Sequence, residues 1–123
     1  MLFRSLLVDD EPNFLEIASR QLTGYNYKVI TAANGEEALE LYEKHREQVN
    51  LVILDLIMPE MSGEKCLRAL LKTDPTVRVL VASGAQMMAM DEDFKQAGAK
   101  GLIKKPFDIA RLLEKIRKII DED

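Results

Sequence analysis

Residues 51–60 read LVILDLIMPE, and the position of Asp55 in that run decides the fold. Four aliphatic residues, Leu51, Val52, Ile53 and Leu54, precede the carboxylate, and three apolar residues follow it. A short continuous run of this kind suits a strand covered on both faces, the environment of a parallel sheet. A lone carboxylate inside such a layer costs several kcal/mol or gives up its charge. Asp55 therefore belongs at the strand's exit. Ligands bind outside the carboxyl ends of strands in open α/β sheets, so its neighbours there carry the functional information.

Runs of strand length alternate with segments of helical period throughout the chain. Leu2–Val8 reads as a first strand, Tyr27–Ala32 as a second, 51–54 as the third, Arg78–Ala82 as a fourth and Gly101–Ile103 as a short fifth. Between them, Pro12 fits a first helical turn, and Phe14, Ile17, Ala18 and Leu22 recur on one face that closes near Gly24. Asn34 with Glu37 resembles a capping box before Ala38, Leu41 and Tyr42. Cys66, Leu67, Leu70 and Leu71 make a face that ends by Asp74-Pro75. Met90, Phe94 and Ala97 form another, capped by Gly98. Asp108 caps the last helix, whose inward stripe is Ile109, Leu112, Leu113, Ile116, Ile119 and Ile120.

Five β-α units with short loops require a parallel sheet, because each helix must return the chain to the same side. Periodicity does not give the strand order. A doubly wound sheet with helices on both faces is the economical arrangement, and it brings the strand exits to one edge.

Composition narrows the function. With 123 residues, 47% of them hydrophobic and 31% charged, the chain is read as one domain, 1–123, able to bury a proper core. A net charge of −4 disfavours direct nucleic-acid or anionic-membrane partners, which need a basic patch. No stretch reaches the roughly 18 apolar residues of a membrane-spanning helix, and the N-terminus lacks a signal-peptide pattern, so a cytoplasmic location is expected. The single cysteine, Cys66, reads as a small core residue.

The strand exits are chemically distinctive. The first carries Asp9, Asp10 and Glu11, the third Asp55, the fourth Ser83, and the fifth Lys104 and Lys105 before Pro106. Two carboxylates about 4 Å apart repel by roughly 4 kcal/mol at an effective dielectric of about 20, so Asp10 beside Asp55 calls for a cation. Oxygen donors without nearby histidine or cysteine select a hard ion such as Mg²⁺. A lysine and a hydroxyl at neighbouring strand ends supply a positive charge and a donor for phosphoryl oxygens. Asp55 would be the nucleophile, giving an acyl phosphate.

VDDE at 8–11, DLIMP at 55–59 with Gly63, Ser83 after the fourth strand, and KP at 105–106 together resemble the receiver domain of bacterial two-component response regulators. The resemblance covers essentially the whole chain. It implies a flavodoxin-like fold with strand order 2-1-3-4-5 and phosphoryl transfer from the phosphohistidine of a sensor histidine kinase or phosphotransfer protein to Asp55. It further implies Mg²⁺ bound by Asp10, Asp55 and the main-chain carbonyl of Ile57, with Asp9 acting through water. Ser83 and Lys105 would hold phosphoryl oxygens, and the Lys105-Pro106 bond would be cis. Such a chain is a signalling module rather than an enzyme, acts through a downstream partner or effector domain that the sequence does not identify, and is compatible with a phosphorylation-dependent homodimer. Ile57 and Ala85 stand where receivers flank the approach of water to the phosphoryl group. Neither offers a hydrogen bond, so a long-lived acyl phosphate is expected. One position departs from the family pattern, because Leu102 stands where receivers often carry an aromatic switch residue.

Other functions fit less well. A haloacid-dehalogenase-type phosphatase needs a second acid two residues after its nucleophile, where this chain has Ile57. A flavin module needs a phosphate-binding loop after the first strand, where the carboxylates of Asp9, Asp10 and Glu11 would repel phosphate. A receiver acting only as an unphosphorylated interaction module is not favoured, because every expected site residue is present.

Overall fold

The computed structural model describes residues 3–56, 61–84 and 91–121. Its strands are β1 (Phe3–Val8), β2 (Tyr27–Ala32), β3 (Leu51–Asp55), β4 (Val79–Ser83) and β5 (Gly101–Lys104). They alternate with helices α1 (Pro12–Gly24), α2 (Gly35–His45), α3 (Gly63–Thr73), α4 (Asp91–Ala97) and α5 (Ile109–Asp121). All strand pairs are parallel, in the order β2-β1-β3-β4-β5.

The alternation of side chains along each strand makes two cores. On β3, Val52 and Leu54 join the cluster that contains Tyr42, Cys66, Leu67, Leu70 and Phe94. Leu51 and Ile53 join the opposite cluster, with Ala18 and Leu22 of α1 and Leu112, Leu113, Ile116 and Ile119 of α5. Each fully buried aliphatic side chain of this kind stabilises the fold by roughly 1.5–3 kcal/mol. Every residue of β3 and β4 is buried, which explains their unbroken apolar sequence. Cys66 lies fully buried, and burial pushes its thiol pKa up to about 11, as befits an inert core residue.

Helix signals operate where the sequence placed them, with small shifts. Asn34 accepts the Glu37 amide at 2.8 Å, and Asp108 accepts that of Arg111 at 2.8 Å. Ser62 caps α3 through the Lys65 amide. Gly98 follows α4 at φ +119°, a conformation that favours glycine. α1 ends at Gly24 as expected, and the left-handed turn that follows falls on Asn26 at φ 70°, since asparagine tolerates that region. β4 begins at Val79 and reaches Ser83, and β5 runs on to Lys104, each one residue beyond the expected end. Away from the strand exits, the Tyr42 hydroxyl donates to Asp74 at 2.8 Å and ties α2 to the turn after α3. Residues Leu2 and Met90 of the sequence reading lie outside the described residues.

Candidate phosphoacceptor site

Main-chain pairing continues one step past the strands and fixes the site residues. The Asp9 amide donates to Ala32 O at 3.1 Å, Leu56 to Ala82 O at 3.2 Å, and Lys105 to Ser83 O at 2.8 Å. These bonds tie the end of β1 to β2, of β3 to β4 and of β5 to β4, and the pairing of Val8 with Leu54 sets β1 beside β3, so the exits lie side by side. Gly63 closes the floor behind Asp55. Its amide donates to Leu56 O at 2.9 Å, and a Cβ there would come within 2.5 Å of Asp55 O and 2.4 Å of Leu56 Cα.

Ligand oxygens of Asp9, Asp10 and Asp55 lie within 4.8 Å of one another. Asp9 and Asp55 are buried, at 1% and 7% exposure, whereas Asp10 faces solvent. Burying two acids so close is tolerable because a cation stands between them. Lys105 Nζ is 2.7 Å from Asp9 Oδ2 and 3.2 Å from Asp55 Oδ1. Asp9 Oδ1 also accepts the Glu11 amide at 3.0 Å. Burial works to lower the Lys105 pKa, but the hydrogen bond it donates to Asp9 and the charges of Asp55 and Asp9 outweigh it and hold the ammonium above the ordinary lysine value.

The donor set suits a hard divalent cation. It consists of carboxylate oxygens with one face open to water through Asp10, and no histidine or thiol belongs to the cluster. Ser83 ends β4 at 1% exposure, and its hydroxyl has no hydrogen-bond partner among the described residues. A buried hydroxyl without a partner is costly, and one at a polar strand edge is a donor available to a ligand oxygen.

Asp9, Asp10, Asp55 and Lys105 therefore come together as the sequence suggested, and the Lys105-Pro106 peptide is cis. Lys104, its neighbour, is half-buried and lines a separate cavity beside β5 and α5 with Lys100 and Lys115. Leu102 is also half-buried and lines that cavity. Ile57 and Ala85 lie outside the described residues. The sequence reading missed Phe14. Its place in the apolar stripe of α1 signalled core, yet its ring lies under the Lys105 ammonium.

Comparison with known proteins agrees with this geometry. Residues 6–117 match the response regulator receiver domain family. The chain is 34% identical over 117 residues to the chemotaxis protein CheY of Thermotoga maritima, covering 94% of this chain and 96% of that one. It is 35% identical over 122 residues to CheY of Bacillus subtilis, covering 98% and 100%. Among solved structures, a receiver domain protein of Clostridium thermocellum superposes with a TM-score of 0.94 at 26% identity, over 98% of this chain and 96% of that one. The CheX–CheY–BeF₃–Mg²⁺ complex of Borrelia burgdorferi gives 0.91 at 33% identity, over 96% and 89%.

Proposed function

This chain belongs to the response regulator receiver domain family, and we propose that it accepts a phosphoryl group from a histidine kinase or phosphotransfer protein onto Asp55 and thereby switches its contacts with a downstream partner. The observation that supports this most directly is the pairing of buried Asp55 with Lys105 beside a second buried acid and a buried serine hydroxyl that has no partner among the described residues. An Asp55 carboxylate oxygen attacks phosphorus, an O–P bond forms, and the P–N bond to the donor imidazole breaks, the electron pair leaving on nitrogen. Lys105 releases part of its hold on Asp9 to meet a phosphoryl oxygen, and Ser83 donates to another. Asp9, Asp10, Asp55 and the Ile57 carbonyl would hold Mg²⁺, which supplies neutralisation of the charge gathering on those oxygens. The Mg²⁺ present with the Borrelia burgdorferi protein supports this choice of ion.

Intact-mass measurement after treatment with a small-molecule phosphodonor and Mg²⁺ tests the reading. Wild type should gain the mass of one phosphoryl group and Asp55→Asn none. Equal labelling of the two would overturn it.

A further inference from the structure

Lys105 carries its charge on a flexible stem with three donors, and the two carboxylates engage only part of it. Nζ stands 4.8 Å from the centroid of the Phe14 ring, over its face. The ring of Phe107, just past Pro106, packs perpendicular to it, with centroids 5.7 Å apart and planes at 90°. A perpendicular aromatic neighbour restricts the ring's tilt, and the negative face of a ring attracts an ammonium.

We propose that Phe14 is a positioning residue for Lys105. Its ring fixes the ammonium at the edge of the carboxylate cluster, where the charge can pass from Asp9 to a phosphoryl oxygen on Asp55. The sequence pattern demands only an apolar side chain at this point of α1. Leucine would meet that demand without offering an electron-rich face, whereas tyrosine would offer both. This role rests on the phosphoacceptor reading of Asp55, which makes Lys105 a group of the reaction.

The test uses the full chain as wild type, Phe14→Leu and Phe14→Tyr. In wild type, NMR should place the ε-methylene protons of Lys105, assigned by their loss in Lys105→Arg, upfield through the ring current of Phe14. The shift should vanish in Phe14→Leu and persist in Phe14→Tyr. Phosphorylation by a small-molecule donor with Mg²⁺, followed by intact mass, should be roughly twofold to tenfold slower in Phe14→Leu, the range an ammonium–ring attraction implies, and restored in Phe14→Tyr. Unshifted Lys105 protons in wild type overturn the proposal without any substitution having to fold. So does a Phe14→Leu protein as fast as wild type, or a Phe14→Tyr protein as slow as Phe14→Leu. A ring-shifted Lys105 in a wild-type protein that takes up no phosphate would overturn the phosphoacceptor reading itself, and the catalytic meaning of the contact with it.

Discussion

Lys105 Nζ lies 2.7 Å from Asp9 Oδ2, joining residues 96 positions apart. The ammonium thus occupies the attraction of an acid that a divalent ion would also use. Removing it should leave the three carboxylates in mutual repulsion, relieved only by metal. Lys105→Met is expected to lower the melting temperature without Mg²⁺ and to show a larger rise on Mg²⁺ addition than wild type. A smaller rise would mean that lysine and metal do not contend for the same charge. The pair also has a pH signature. Because the folded Lys105 pKa is raised, its stabilising contribution is complete below the unfolded lysine value of about 10.4 and is lost as pH rises through the folded value. The alkaline slope of stability should be shallower in Lys105→Met.

Gly63→Ala is expected to disturb the site from behind. Its Cβ would stand 2.4 Å from Leu56 Cα and 2.5 Å from Asp55 O, both main-chain atoms that cannot swing aside. Urea denaturation should show a loss of about 2 kcal/mol or more, together with slower phosphorylation as β3's exit shifts. An unchanged urea midpoint would show that the loop yields at no cost.

Tyr42 provides a second pH test, remote from the strand exits. Burial first, then its hydrogen bond to Asp74 and the charge of that residue, raise its pKa above the ordinary value, while Arg46 pulls the other way. As pH rises past about 10, the unfolded chain ionises this tyrosine before the folded one does, so stability falls. Tyr42→Phe should lose about 1 kcal/mol at neutral pH through the broken hydrogen bond and decline less steeply in alkali. Parallel stability curves for the two proteins would contradict this.

Acyl-phosphate lifetime is a matter of water access. Hydrolysis requires a water held in line with phosphorus, and polar side chains can orient one. Ile57 and Ala85 offer no hydrogen bond, so wild type should lose phosphate slowly, and Ile57→Asn or Ala85→Glu should accelerate decay. Dephosphorylation time courses in Mg²⁺ buffer decide the matter, and the idea fails if both substitutions leave the rate unchanged.

The sequence by itself determined the alternation of strands and helices, because burial on both faces demands runs such as LVIL at 51–54 and helical burial demands stripes such as Leu112, Leu113, Ile116 and Ile119. It also determined which polar residues leave the strands, since a charge ending an apolar run has nowhere else to go. Strand order was legible only through family resemblance, because pairing between strands leaves no trace in the period of either. Only the tertiary structure decided how the exits share charge. The contacts of Lys105 with Asp9 and Asp55 depend on the parallel pairing of β1 with β3, β3 with β4 and β4 with β5 across nearly the whole chain. Phe14 shows the limit most plainly. Helical period specifies that its side chain points inward, but the ammonium over its ring comes from the far end of the sequence, and only the packed fold could bring the two together.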